Sequence, residues 1–80
     1  MSRASAVVEA IARALADKPD AVHVSEREAR GQTFVELTMA PSDMGRVIGR
    51  QGRTAQAVRT LANLAAEMDG TKVSVDFRDQ

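Results

Sequence analysis

Residues that could carry covalent chemistry are few. The chain of 80 residues has one histidine, no cysteine and no tyrosine, so a nucleophile and base pair would have to run through His23. His23 alternates with Val22 and Val24 in a period-two segment, which points it to the side opposite those valines. No nucleophile or carboxylate is placed locally to partner it. Glu26 and Glu28 share a strand face by period, the arrangement of a paired acid and base, but at the end of a hairpin they read as solvated surface and not as metal ligands. The four methionines fall mainly at core-periodic positions and read as packing. No catalytic residue, metal or cofactor is expected.

Arginine and glycine offer a different chemistry, the holding of an anion. Between Asp43 and Glu67 there is no acid, while Arg46, Arg50, Arg53 and Arg59 all lie there. Eleven bases and eleven acids give a formal net charge of zero, so the rest of the chain holds seven bases against eleven acids and the sequence is polarised. Within the basic stretch, Gly45, Gly49 and Gly52 stand four and three residues apart. That spacing is not the G-x-G-x-x-G of dinucleotide folds. Gly52-Arg53-Thr54 also fails as the end of a nucleotide-binding P-loop, whose earlier glycine would fall on Val47 and whose lysine is here Arg53. What the spacing allows is a four-residue turn, Gly49-Arg50-Gln51-Gly52, between two helices. Glycine at its ends admits positive φ and the close approach of another backbone. The N–H groups opening the next helix favour a phosphate. A plain helix-turn-helix corner is the other reading of the same glycines.

The elements that must position these residues are legible in the periodicity. Ala4 to Leu15 places Val8, Ile11, Ala12 and Leu15 on a helical stripe, with Ser2 or Ser5 as N-cap, and Lys18-Pro19-Asp20 ends it. From Ala21 the period is two, with Val22 and Val24 on one face. A turn at Arg30-Gly31-Gln32 and a second run, Val35, Leu37 and Met39 against Phe34, Glu36 and Thr38, predict an antiparallel hairpin. Ala40-Pro41-Ser42-Asp43 opens a short helix, with Ser42 able to cap and Asp43 near the positive dipole end. Its apolar face is Met44, Val47 and Ile48. After the glycine turn, Val58, Leu61, Ala62, Ala65 and Met68 mark the buried stripe of a longer helix that ends at Asp69-Gly70. A last strand alternates Val73, Val75 and Phe77 with Lys72, Ser74, Asp76 and Arg78. The order is αββααβ, an α+β fold with helices packed on one face of a three-stranded sheet.

Length predicts one small domain over residues 1–80. With 44% hydrophobic and 28% charged residues the composition is that of a folded globule, and without cysteine an aliphatic core must stabilise it. No apolar run approaches the roughly 20 residues of a membrane span. The first residues lack the cationic start, apolar region and cleavage pattern of an exported chain. A cytoplasmic location is expected. Phe 2, Trp 0 and Tyr 0 leave almost no aromatic surface for stacking bases in the manner of RRM or OB proteins.

Val47-Ile48-Gly49-Arg50-Gln51-Gly52-Arg53 resembles the V-I-G-x-x-G core of KH domains, whose GXXG loop clamps the backbone of about four nucleotides. The αββααβ order is that of the type II KH arrangement. Chain length and the A-P-S-D-M-G-R-V-I-G-R-Q-G-R-T run are similar to the small stand-alone bacterial KH proteins of the KhpA family, and the likeness covers essentially the whole chain. It implies a protein of post-transcriptional regulation or an RNA chaperone that binds single-stranded RNA, with single-stranded DNA left open, and that has no small-molecule substrate and no catalytic role. It also implies a homodimer or a pairing with a larger KH- and R3H-containing protein.

Residue by residue, the resemblance implies that Gly49 and Gly52 shape the clamp and that Arg50, Gln51 and Arg53 face the sugar-phosphate backbone. Arg46 and Val47 join the contact set, and Ile48 matches the isoleucine that anchors the loop to the core. Met44, Val47, Val35 and Leu37 would line the groove that takes bases. Two positions depart from the family pattern: Arg50-Gln51 stands where many KH domains have two lysines, and Ala55 where many have a bulky aliphatic. The rival reading is a KH-like interaction or dimerisation module whose arginines are soluble surface.

Overall fold

A computed structural model describes residues 1–79, with Arg50 and Asp79 described by their backbones. The first helix, α1, spans Arg3–Leu15. Of the two candidate caps it uses Ser2, whose hydroxyl accepts from the Ser5 N–H at 3.1 Å. Glu26 reinforces that end, accepting from the Ser2 N–H at 2.9 Å and from the Ser5 hydroxyl. The glutamate is therefore not merely solvated, as its hairpin position suggested. The Ser2 N–H and then the Ser5 hydroxyl hold its carboxyl below the usual range.

After α1 a 3₁₀ turn, Pro19–Ala21, leads into β1, His23–Ala29. Arg30 and Gly31, at φ 54° and 77°, form the two-residue hairpin loop to β2, Gln32–Met39. Thr33, Val35, Leu37 and Met39 are buried and alternate with half-buried Gln32, Phe34, Glu36 and Thr38. Helix α2 is Pro41–Ile48, a second 3₁₀ turn is Arg50–Gly52, α3 is Arg53–Met68, and β3 is Lys72–Asp79. The sheet order is β1-β2-β3. The β1–β2 pair is antiparallel and β3 lies parallel to β2, with Val35 opposite Val75 and Leu37 opposite Phe77. A parallel partner needs a crossover, and α2 with α3 supplies it. Helix α3 ends in a Schellman motif: Thr71 N–H donates to Ala66 O and Gly70 N–H to Glu67 O, both at 3.0 Å.

Four expectations from the sequence are corrected. Helix α2 is capped by Ala40 and not by Ser42, because Pro41 occupies the first helical position. There its fixed φ fits, its missing N–H costs nothing, and it keeps Ala40 extended. Ile48 is 49% exposed and does not anchor the loop in the core. At about 100° per residue, the buried arc of Asp43, Met44 and Val47 is centred roughly 90° away from Ile48.

In α3, the buried residues are Ala55, Val58, Ala62, Ala65 and Ala66, while Leu61 and Met68 are 46% and 71% exposed. Small residues let α3 lie close against α1, whose Ala4, Val8 and Ala12 join the same core. The large side chains are left outside. Leu15, assigned to the α1 stripe, is likewise 47% exposed.

Met44→Ala, at a site with 0% exposure, is expected to cost about 2–5 kcal/mol and to lower the melting temperature by at least about 8 °C. Ile48→Ala should cost less than about 1 kcal/mol. Calorimetric melting of the two variants checks the pair, and equal depressions would refute the outward orientation of Ile48.

Candidate nucleic-acid interface

The turn between α2 and α3 is built by the backbone. The Gly49 N–H closes α2 by donating to Gly45 O at 2.8 Å, and the Gly52 N–H donates to Gly49 O at 3.1 Å. A Cβ on Gly49 would lie 2.8 Å from Gly45 O, so this position excludes every side chain by contact. Gly52 has open space around it but φ +71°, so it is constrained by conformation instead. Gln51 precedes it at φ 63° and ψ 24° without glycine's freedom, a strain of about 1 kcal/mol. Gly52 is the N-cap of α3 and offers no side chain to the first N–H groups, and no acid lies in the first turn. The positive end of α3 is thus open to an outside anion. Gln51 and Arg53 are exposed beside it. The Arg53 side chain makes no hydrogen bond or ion pair to another described residue.

Two other arginines of the basic stretch, Arg46 and Arg59, are committed elsewhere. Nη2 of Arg46 donates to Asp43 Oδ1 at 2.7 Å and to Leu15 O at 3.2 Å, and lies 3.4 Å from Asp17 Oδ2. Arg59 stands over the Phe77 ring at 4.7 Å and its Nε donates to Val75 O at 3.4 Å, which covers part of the outer strand. Arg46 and Arg59 are therefore each held by neighbours within the fold. Arg50 belongs to the turn by its backbone, and its side chain lies outside the described residues.

Asp43 is the buried centre of this arrangement. Only 1% exposed, it accepts from the Asp17 N–H at 3.1 Å, the Lys18 N–H at 3.0 Å and Arg46. These donors, the Asp17 N–H foremost and then Arg46, hold its carboxyl below the usual range. The sequence placed Asp43 near a helix dipole and missed this role. Its i, i+3 spacing to Arg46 was the available signal.

Beside the loop, Leu15, Asp43, Gly45, Arg46, Val47, Gly49 and Thr54 line a groove of about 420 Å³. Val47 is placed there as expected. Met44, Val35 and Leu37 are not: each is at most 1% exposed and belongs to the core. Leu15 and Thr54 take their place, and neither was expected to line the groove. Ala55 packs inward with 5% exposure. Among the described residues, no three His, Cys, Asp or Glu side chains are grouped to hold a metal, and no helix is long and apolar enough to cross a membrane.

A G-x-x-G turn joining two helices on one face of a mixed αββααβ sheet defines a type II KH domain. The family model of the KhpA/KhpB KH domain matches residues 5–77. The RNA-binding protein KhpA of Caldanaerobacter subterraneus subsp. tengcongensis is 50% identical over 71 residues, covering 89% of this chain and 95% of that protein. The RNA-binding protein KhpA of Clostridium perfringens is 47% identical over the same length and coverage. This chain belongs to the KhpA/KhpB KH-domain family.

The fold is also shared with a crystal structure of an Aquifex aeolicus Era variant bound to GDP and aluminium fluoride. The TM-score is 0.66, with 17% identity over 95% of this chain and 29% of that one. A structure of Era with MgGDPNP and a 16S ribosomal RNA segment superposes equally, at TM-score 0.66.

A carboxyl group whose folded pKa is lowered stabilises the fold fully above the unfolded carboxylate range, and that stabilisation is lost as pH falls through the folded value. Asp43→Asn is therefore expected to melt below the parent at pH 7 and to show a shallower loss of melting temperature below about pH 5. Thermal melts across pH test this. An unchanged melting temperature at pH 7 would show that Asp43 ties nothing down.

Proposed function

We propose that this protein is a single KH domain that binds single-stranded RNA through its GXXG loop, acting in post-transcriptional regulation or as an RNA chaperone and not as an enzyme. The observation that carries this is the loop itself: the uncapped, acid-free start of α3 behind two residues of positive φ, in a family whose relatives are named RNA-binding proteins. Gly49 and Gly52 hold the loop open to the strand. Arg50, Gln51 and Arg53 contact the sugar-phosphate backbone, while Val47 and exposed Ile48 offer apolar surface beside it. Single-stranded DNA is the second ligand to titrate, since this mode reads backbone more than 2′-hydroxyls. The reading implies a cytoplasmic location.

Replacing Arg50 and Gln51 together by Asp is expected to abolish binding to short single-stranded RNA while leaving the circular-dichroism melt unchanged, because two carboxylates on an exposed turn repel phosphate. Arg53→Ala should weaken different oligonucleotides by similar factors and make the slope of log affinity against log salt shallower by about 0.7, one phosphate's worth on a single strand. Unchanged affinity in the Asp pair would remove the loop as the site.

One observation favours a second, compatible reading, an interaction surface. Leu61, Leu64 and Met68 are 46%, 53% and 71% exposed and form one stripe with exposed Ala57 along α3. A second copy of the chain or a larger KH- and R3H-containing protein would cover it. Leu61→Lys should then lower the sedimenting mass without altering the loop's salt slope. A parent that sediments as a monomer at all concentrations, with no bound KH partner, would set this reading aside.

A further inference from the structure

The groove beside the loop contains one cation among its described lining residues, Arg46, and the charge of that cation is already answered. Its Nη2 is fixed by Asp43, Leu15 O and Asp17, oxygens from two elements and the segment that follows α1. A guanidinium so held has little rotamer freedom left to lose, and with two carboxylates against it there is little net attraction for a phosphate. It has not been withdrawn from solvent, however. The side chain is 55% exposed, and Nε and Nη1 make no hydrogen bond to any described residue. The rest of the lining is mixed: Asp43 and Thr54 are polar, while Gly45 and Gly49 present no Cβ, Val47 is buried and Leu15 is 47% exposed, which leaves aliphatic surface beside the guanidinium. A planar, charge-compensated guanidinium beside aliphatic surface suits the face of a nucleobase better than a phosphate, since bases stack on arginine planes.

We infer that this groove holds one base of the bound strand, stacked on the Arg46 guanidinium, so that Arg46 selects bases and contacts no phosphate. The inference rests on the RNA-binding reading and deepens it. Both phenylalanine rings of the chain are covered by its own arginines, Phe34 by Arg27 at 4.6 Å and Phe77 by Arg59 at 4.7 Å. Guanidinium planes are the stacking surface that remains near the loop, and among the described residues that line this groove the plane is that of Arg46. A larger base overlaps the plane more, so purines are favoured.

The test is fluorescence anisotropy with labelled hexamers of oligo(A) and oligo(U) RNA at several salt concentrations. The parent should prefer oligo(A) by about two- to fivefold. Arg46→Lys, which keeps the charge and loses the plane, and Arg46→Gln should both erase the preference while leaving the salt slope at the parent value. Leu15→Ser removes the opposite rim without touching the Asp43–Arg46 tie, and should reduce the oligo(A) preference too. This variant carries the test if the Arg46 variants melt early.

The inference is overturned if Arg46→Gln flattens the salt slope by about 0.7 and Arg46→Lys restores it, the signature of a phosphate contact. It is equally overturned if the parent binds both hexamers alike, or if Leu15→Ser leaves the ranking intact. Failure of the RNA-binding reading is a separate result, in which the parent binds neither hexamer.

Discussion

The carboxylate of Asp43 is the contact on which the geometry of the site depends. It lies in the first turn of α2, where an acid is favoured by the dipole, and it also collects two backbone N–H groups from the segment just after α1. A buried carboxylate without donors would be too costly to keep. With three donors it joins α2 to the end of α1 across a sequence distance of 25 and 26 residues. One consequence is rotational. Burying Asp43 turns the inward arc of α2 toward it, which carries Ile48 out of the core and sets Arg46 at the surface of the groove.

The same tie changes the electrostatics. Four arginines in a stretch without acids suggest a broad positive patch, but folding commits two of them to other contacts. Arg46 is answered by Asp43 and by Asp17, and Arg59 is spent on Phe77 and the outer strand. What is left for a polyanion lies at the turn, with Arg53 and the free N–H groups of α3. Attraction of this kind is local and short in range at physiological salt. A module with so few charges gains affinity chiefly by being joined to another, which is where the exposed stripe on α3 and the RNA-binding reading support each other.

The parts of the fold governed by local rules were legible in the sequence. Arg30-Gly31 sets the hairpin, strict alternation from Thr33 to Met39 sets the buried face of the central strand, and Asp69-Gly70 stops α3. The parts decided by tertiary contact were not. Helix α3 carries two apolar stripes, one of alanine and valine and one of leucine and methionine, and periodicity by itself favours the larger side chains. Close packing against Ala4, Val8 and Ala12 of α1 favours the smaller. The parallel pairing of β3 with β2 and the role of Leu15 as a groove wall likewise depend on elements far apart in sequence. The candidate site was legible as a motif, Gly49 to Gly52. Its groove was not, because the residues expected there, Met44, Val35 and Leu37, are those the core required.

The two glycines of the loop are constrained by unrelated physics, and this bears on how the loop does its work. Gly49 is fixed by the approach of Gly45 O, so any side chain there would push α2 open at its last turn. Gly52 meets no neighbour, and its requirement is the left-handed conformation that starts α3. Between them Gln51 adopts a left-handed conformation that an ordinary residue resists. A strained residue persists only where its surroundings determine it. Here they do so from both sides, through the Gly49 N–H bonded to Gly45 O and the Gly52 N–H bonded to Gly49 O. The backbone of the turn is therefore set before any ligand arrives, and a strand that binds there need not bear the cost of ordering it. In a chain whose two phenylalanine rings are already covered, that preorganised backbone is part of what the loop offers a ligand.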